Sequence, residues 1–177
     1  MELKRFEIFK NQDQENGYFD CTLIIDGKKL FVHKYFLASA SEVFSVMLSD
    51  QWNKNDELKI ENPDYSYENF YHFITFIYSG TCNLDAENIF VLTDMAEFFH
   101  VESLKILCDE FLSNMNFDAG NIVQAFEFAQ KYSLEKFENS LKNFIRYNYG
   151  DILQTEAFLG FKKSFVEFMS TICKYDM

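Results

Sequence analysis

A change in hydrophobic periodicity constrains the fold of this chain more than any other feature. Phe19–Ile25 is a run rich in branched side chains, Asp26-Gly27 follows it, and Lys29–Val32 is a second apolar run. Asp-Gly between two such runs predicts a β-hairpin with a two-residue turn. Glu57–Ile60, in which charged and apolar residues alternate, predicts a third short strand. The predicted strands are thus confined to the first third of the chain.

Helical spacing dominates the rest of the sequence. An amphipathic helix is expected over residues 2–12, and Ser39 and Ser41 are suitable cap or turn residues within a helical stretch at 34–48. Similar stripes predict helices over residues 66–78, 86–99 and 101–112. From Asp118 onward, four further helical faces are predicted at 122–129, 134–144, 152–159 and 161–172. The sequence therefore predicts an α+β fold in which a purely helical region follows a mixed one, with the junction near Asn114–Gly120.

The charge and cysteine patterns exclude several classes of function. The chain has 16 basic and 28 acidic residues, a formal net charge of −12 that repels phosphate backbones and anionic lipid surfaces. No nucleic-acid or membrane partner is therefore expected. The start of the chain has no signal-peptide core, and no stretch approaches the roughly 18 apolar residues of a membrane-spanning helix. Cys21, Cys82, Cys108 and Cys173 are scattered, which fits free thiols in a cytoplasmic or nuclear protein rather than a zinc site.

No catalytic pattern appears in the sequence. His33, His72 and His100 are far apart and lack metal-ligand spacing, and the six glycines are isolated rather than grouped in a phosphate-binding loop. Asp109 and Glu110 have the spacing of a solvated helix face. We therefore expect neither an enzyme nor a cofactor nor a bound metal.

Trp52 is an unusual residue for its position. It is the only tryptophan, and it lies in the polar run from Ser49 to Asp56 without a periodic apolar partner. One interpretation is that it folds back over the core. The other is that it is an exposed anchor for a partner protein, because tryptophan is enriched at binding hot spots.

Several segments together resemble one known family. The run FDCTLIIDGKKLFVHKYFLASASEVFSVML resembles the opening of a BTB (POZ) domain, in which a strand containing Asp enters a hairpin and leaves through a His-Lys pair into helices. The matching residues are Asp20, Thr22, Leu23, His33, Lys34, Leu37, Ala38, Ser41, Phe44 and Met47. The segments FITFIYSGTCNL and MAEFFHVESLKILCDEFL continue the resemblance, which covers residues 18–112. The segment from Asn121 to Phe161 resembles the start of a BACK domain, whose first two helices are called the 3-box.

The resemblance implies a non-catalytic protein-interaction module with three parts. Residues 1–17 would be a dimerisation helix, 18–113 the BTB/POZ domain, and 114–177 the 3-box and the start of a BACK domain. The residues expected at a homodimer interface are Leu3, Phe6, Phe9, Asp20 and Lys34, with the last two as a charged pair. A helix of about 11 residues is too short to be stable alone, so its apolar face must dock either on a partner or on its own domain.

The resemblance also implies a specific partner. Many BTB–BACK proteins resemble substrate adaptors of cullin-3-type ubiquitin ligases. By this resemblance the chain would bind the N-terminal domain of the cullin scaffold and a substrate protein whose identity is unknown. The expected cullin-contact residues are Met47, Leu48, Trp52, Lys54, His100, Ile122 and Phe126. Lys54 stands where the family's contact motif has Glu, which favours the alternative of an oligomerisation or scaffold module, transcriptional or cytoskeletal, that binds no cullin. The resemblance to BACK stops early, so we expect either a fragment of a longer protein or an unusually short member.

Overall fold

The structure, a computed structural model, describes residues 4–49 and 56–173, and the chain divides into two compact units, Met1–Ile106 and Leu107–Met177. The elements of the first unit are α1 (Lys4–Asn11), β1 (Cys21–Ile25), β2 (Lys28–Val32), α2 (Lys34–Ala40), α3 (Glu42–Met47), β3 (Glu57–Ile60), α4 (Tyr67–Ser79) and α5 (Ile89–Phe98). The boundary between the units falls within α6 (Glu102–Ser113). The second unit continues with α7 (Ile122–Tyr132), α8 (Glu135–Leu153), a 3₁₀ helix (Glu156–Gly160) and α9 (Lys163–Cys173). The predicted α+β class is confirmed.

The three strands form one small mixed sheet in the order β2-β1-β3. β1 and β2 are antiparallel, and Ile25 pairs with Lys28 across the turn at Asp26-Gly27. Both turn residues have positive φ, as a two-residue hairpin turn requires, so the predicted hairpin is confirmed. β3 runs parallel to β1, with Leu58 opposite Leu23. The strand prediction for 57–60 is thus also confirmed.

Stacked aromatic rings form much of the core of the first unit. The ring of Phe9 in α1 stacks on Tyr78 in α4, with centroids 4.5 Å apart. The ring of Phe44 in α3 stacks at the same centroid distance on Phe99, which follows α5. All four side chains are fully buried or nearly so. Much of the high aromatic content of the chain is therefore core.

The helical stretch at 34–48 is broken at Ser41 into α2 and α3. Ser41 has an extended backbone (φ −147°, ψ 122°), ends α2 and caps α3. Its buried hydroxyl accepts a hydrogen bond from the Phe44 backbone N–H (3.1 Å) and donates one to the Phe99 carbonyl oxygen (2.5 Å). These two bonds compensate for the backbone bond lost at the break, which agrees with the expectation that Ser41 is a cap residue.

The second unit differs from the prediction at its centre. α8 extends to Leu153 and includes Ile152, so the predicted segment at 152–159 is not a separate α-helix. Residues 156–160 form the short 3₁₀ helix instead. The buried core residues of this unit are Ile122, Leu141, Ile145, Ile152, Phe165, Met169 and Ile172. Ile152 continues the apolar face of α8 through one more turn, which is why the helix does not end earlier.

Candidate functional site

An open groove of about 360 Å³ lies on the first unit, between the end of α3, the strand β3 with its following turn, and the end of α5. We call it the α3–α5 groove. The apolar side chains that line it are Met47, Ile60, Pro63, Tyr65, Phe98 and Phe99. Lys59 and Glu61 lie at its margin. The mainly apolar composition of this lining suits contact with an apolar side chain.

The aromatic residues of the groove combine a fixed floor with an exposed rim. Tyr65 is buried, and its hydroxyl donates a hydrogen bond to Oδ2 of Asp94 (2.7 Å). Phe99 is also buried, whereas the neighbouring Phe98 is 56% exposed and meets the Phe99 ring edge-on at 4.9 Å. An exposed phenylalanine beside a rigid aromatic floor is a favourable anchor for a partner protein.

Sequence reasoning identified only part of this groove. Met47, one of the expected contact residues, lines it and is half-buried. Leu48 is buried, and its side chain belongs to the core rather than to the surface. Trp52 and Lys54 lie outside the described residues. Tyr65 and Phe98 were missed, although Phe98 falls off the apolar face formed by Ile89, Leu92, Ala96 and Phe99, and that offset is a sequence signal for exposure.

His100 lies in a neighbouring polar pocket of about 470 Å³ rather than in the groove. It is exposed, and its backbone is left-handed (φ 52°), which ends α5. The same pocket is lined by Ser39 and by Glu97, whose carboxylate pairs with the ammonium of Lys105 (2.6 Å). His100 is therefore accessible to a partner, next to an ion pair within its own unit.

The two contact residues expected in the 3-box belong to the second unit. Ile122 is fully buried in its core, so in this conformation it offers a partner no surface of its own. Phe126 is half-buried, and its ring lies 5.3 Å from that of Phe165 and 4.4 Å from that of Phe168. Of the two residues, only Phe126 has surface to contribute.

α1 uses one face within its own domain. Phe9 is fully buried and stacks on Tyr71 and Tyr78 of α4, and the Phe6 ring stacks on Phe9. Leu3 lies outside the described residues. Ile8, on another face of α1, is 37% exposed. The alternative that this helix docks on its own domain therefore holds for the face that carries Phe9, whose side chain has no surface left for a partner.

The expected charged pair between Asp20 and Lys34 is replaced by another arrangement. Oδ1 of Asp20 accepts a hydrogen bond from the backbone N–H of Lys34 (2.7 Å), at the start of α2. The Lys34 ammonium pairs instead with Oδ1 of Asp56 (2.5 Å). This hydrogen bond to Asp56 raises the pKa of Lys34. Asp20 thus holds the helix backbone, and Asp56 neutralises the lysine.

His33 is a structural residue. Its Nε2 lies 2.9 Å from the carbonyl oxygen of Gly17, which can only accept, so Nε2 carries a proton. Its Nδ1 lies 2.7 Å from the hydroxyl of Tyr78, and that hydroxyl also accepts from the His33 backbone N–H (2.8 Å). Burial raises the pKa of Tyr78 well above its usual range. The histidine therefore joins the loop before β1 to α4.

The described part of the chain contains neither a candidate metal cluster nor a candidate membrane-spanning helix. Among residues 4–49 and 56–173, no three His, Cys, Asp or Glu side chains come together in an arrangement that could hold a metal. None of the helices in these ranges combines the length and apolar content that a bilayer crossing requires.

Comparison with known proteins relates the chain to one domain family. The sequence model of the BTB/POZ domain family matches residues 9–116. Human Kelch-like protein 24 is 25% identical over 171 residues, and the Kelch repeat and BTB domain-containing protein A55 of vaccinia virus is 26% identical over 149 residues. The matched segments cover 97% and 84% of this chain but only 28% and 26% of those proteins, so the chain spans about a quarter of their length.

Solved structures show the same fold. The BTB domain of zebrafish PATZ1 aligns with a TM-score of 0.53 and 22% identity, over 63% of this chain and 91% of that one. The BTB domain of human gigaxonin aligns with a TM-score of 0.50 and 23% identity, over 61% and 89% respectively.

Proposed function

Because the chain belongs to the BTB/POZ domain family and is therefore a protein-interaction module, we propose that it is a homodimeric substrate-adaptor subunit of a cullin-3-type ubiquitin ligase. In this role it binds the N-terminal domain of the cullin through its first unit and brings a substrate protein to the ligase. It performs no chemistry itself. The Kelch-like relative, whose match covers 97% of this chain, supports this choice.

The α3–α5 groove is the observation that carries the proposal. The resemblance of the sequence assigns cullin contact to the end of α3 and to His100 just after α5. The groove lies between the ends of these two helices, with Met47 on one side and the exposed Phe98 on the other. An exposed apolar groove on an otherwise acidic surface is a suitable contact for a partner helix.

Calorimetric titration with a cullin-3 N-terminal domain tests the proposal. We expect Phe98→Ala to weaken binding at least tenfold, about 1.4 kcal/mol, because truncation removes the exposed aromatic side chain that would meet the partner. Trp52→Ala is expected to cost more than about 1 kcal/mol if the tryptophan is the predicted anchor. Tyr147→Ala is the control, since Tyr147 is also an exposed aromatic residue, on α8 of the second unit.

Two results would count against this assignment. Absence of measurable binding by the wild-type chain would contradict the adaptor role and favour the scaffold alternative. Equal losses for Phe98→Ala and Tyr147→Ala would show that the groove is not the contact surface.

The homodimer in this proposal uses the outer face of α1 together with α2. The guanidinium of Arg5 in α1 lies over the ring of Phe36 in α2, 5.4 Å from its centroid, so the two helices are neighbours. Both expose apolar side chains, Ile8 on α1 and Tyr35 (74% exposed) on α2. A second copy would cover these side chains, which a monomer leaves in water.

Sedimentation equilibrium tests the dimer. Ile8→Glu introduces a charge at the centre of the proposed contact, and we expect it to raise the dissociation constant at least tenfold. Leu159→Glu is the control, because Leu159 is 88% exposed in the 3₁₀ helix of the second unit. A wild-type mass that stays monomeric at all concentrations would contradict the homodimer.

A further inference from the structure

The two edges of the sheet differ in whether other residues bond to their outward backbone groups. At the β2 edge, the side chain of Gln12 replaces a neighbouring strand: its Oε1 accepts from the Phe31 N–H (2.8 Å), and its Nε2 donates to the Phe31 carbonyl (3.0 Å). β3 forms the opposite edge. Over residues 4–49 and 56–173, no strand pairs with the outer side of β3.

The register of the parallel pair shows which groups face outward on β3. Thr22 aligns with Glu57, and the Thr22 N–H donates to the carbonyl of Asp56 (2.8 Å). In a parallel ladder, alternate residues direct both backbone groups to the same neighbour. Leu58 therefore bonds to β1, whereas the N–H and C=O groups of Glu57 and Lys59 point to the open edge.

The side chains beside these groups have opposite charges. Those of Glu57 and Lys59 are 48% and 68% exposed, and they share one face of the sheet because they are two residues apart. Leu58 lies between them on the opposite, half-buried face. The edge thus presents the order Glu-Leu-Lys.

We propose that the β3 edge pairs with the β3 edge of a second copy of this chain, antiparallel and centred on Leu58. In this register Glu57 lies opposite Lys59 of the second copy, and Lys59 lies opposite Glu57. Both are hydrogen-bonded pairs, so the four outward N–H and C=O groups of each copy all find partners. Each pair also brings a carboxylate and an ammonium together on the same face.

The charge order distinguishes this edge from one that is protected against pairing. Charged residues on an edge strand normally prevent association, because like charges would meet. Here a twofold axis through Leu58 makes the two facing pairs of Glu57 and Lys59 opposite in sign. The ion pairs within the chain, Lys29 with Glu57 (3.2 Å) and Lys59 with Glu61 (3.1 Å), are exposed and weak, so they can exchange for contacts between copies.

The described surroundings of the strand include an open groove. The α3–α5 groove opens beside Lys59 and Ile60, so this end of β3 borders a concave surface within residues 4–49 and 56–173. The edge is separate from the α1 and α2 surface used in the proposed homodimer. This inference therefore does not depend on cullin binding or on the α1 dimer.

The first test removes one outward donor. Lys59→Pro deletes the N–H that faces the second copy, while the bonds from β3 to β1, which use Leu58 and Ile60, remain. Proline is tolerated on an edge strand when its nitrogen faces outward. The measurement is the weight-average mass by sedimentation equilibrium between about 10 μM and 1 mM, in the Ile8→Glu background of the same 177-residue chain, so that α1 association is suppressed.

We expect the Ile8→Glu chain to associate into dimers across this range, and the added Lys59→Pro to raise the dissociation constant at least tenfold. An unchanged mass curve after Lys59→Pro would overturn the proposal. So would a strictly monomeric Ile8→Glu chain. If Ile8→Glu leaves the mass of the wild-type chain unchanged, that result contradicts only the α1 dimer. The effect of Lys59→Pro then still decides whether β3 edges pair.

A charge exchange tests the register and does not depend on proline being tolerated. Lys59→Glu places like charges opposite each other and should weaken association at least tenfold. The double variant Glu57→Lys with Lys59→Glu restores opposite pairs and should recover wild-type association. Recovery by the double variant supports the twofold register. A double variant whose loss of affinity equals the sum of the losses caused by Glu57→Lys alone and Lys59→Glu alone would overturn it.

Discussion

Two carboxylates, Asp20 and Asp109, each cap a helix that begins far away in the sequence. The residues at the N-caps of α2 and α8 are His33 and Leu134, and neither makes a side-chain capping bond. Asp20 accepts from the first N–H of α2. Asp109 accepts from the backbone N–H groups of Lys136 (3.0 Å) and Phe137 (2.8 Å) in α8. The expectation that Asp109 is merely a solvated side chain is therefore wrong.

We predict that Asp109→Ala lowers the free energy of unfolding by about 1–2 kcal/mol, because two N–H groups at the start of α8 lose a charged acceptor. Glu110→Ala is the matched control. Its carboxylate makes only an exposed ion pair with Lys136, worth at most about 1 kcal/mol. Urea denaturation measures the free energy of unfolding of both variants. Equal decreases in the two variants would contradict the capping role of Asp109.

The buried thiol of Cys21 links stability to pH. Burial raises its pKa from 9.0 to about 11, and the nearby Lys34 ammonium partly opposes this shift. The folded chain therefore keeps a proton that the unfolded chain loses first. The resulting stability is fully present below about pH 9 and is lost as pH rises towards 11.

We therefore predict that the wild-type free energy of unfolding falls more steeply than that of Cys21→Ala between pH 9 and 11. The divergence should be at most about 2–3 kcal/mol. Below about pH 9, plots of the free energy of unfolding against pH for the two chains should run parallel. The constant difference between them is the stability lost through the substitution itself. Parallel curves throughout the alkaline range would show that the thiol is not the titrating group.

At the scale of elements, the sequence predicted features that depend on neighbouring residues better than it predicted pairing between distant segments. The hairpin depends on Asp26-Gly27 and its immediate neighbours, so one segment contains the whole signal. The parallel alignment of β3 with β1 depends on residues more than 30 positions apart, and no local pattern specifies it. The external caps Asp20 and Asp109 were missed for the same reason.

The candidate site shows the same limit. Met47 was found because it belongs to a recognisable motif on one helix. Tyr65 and Phe98 were missed because the groove joins three elements, and an aromatic residue next to the buried Phe99 resembles another core residue. The family resemblance paired Lys34 with Asp20, and no local pattern pointed to Asp56, its actual partner.

Two glycines, Gly150 in a helix and Gly17 in a loop, provide a prediction and its control. Gly150 lies inside α8, and an added Cβ there would meet no atom within 4 Å. Gly150→Ala should therefore raise the free energy of unfolding by about 0.5–1 kcal/mol through helix propensity. At Gly17 the same atom would lie 2.2 Å from the Phe19 ring, so Gly17→Ala should be destabilising. Thermal unfolding compares the two, and a loss at Gly150 would contradict the prediction.

At the scale of the whole molecule, the negative charge is unevenly distributed along the chain. Residues 56–104 contain ten acidic residues and a single basic one, Lys59, whereas the net charge of the full sequence is −12. β3 and α5, which border the α3–α5 groove, lie in this segment. A partner with basic residues around its apolar contact would therefore be favoured in both approach and specificity.

The same repulsion should make stability depend on salt. We predict that the midpoint of thermal unfolding at pH 7 rises by a few degrees between about 20 mM and 300 mM sodium chloride, because ions screen like charges. Circular dichroism at 222 nm measures the midpoint. A midpoint that falls over this range would mean that attractive ion pairs outweigh the excess of carboxylates.

The bond from Gln12 to Phe31 has a consequence for how far a sheet of this kind can grow. Two copies joined through β3 would form six strands whose outermost strands are both β2. Each β2 already has the N–H and C=O of Phe31 occupied by its own glutamine. Growth of the sheet beyond six strands would therefore be hindered at both outer edges, and the glutamine would act as a terminator that protects the sheet from fibrous growth.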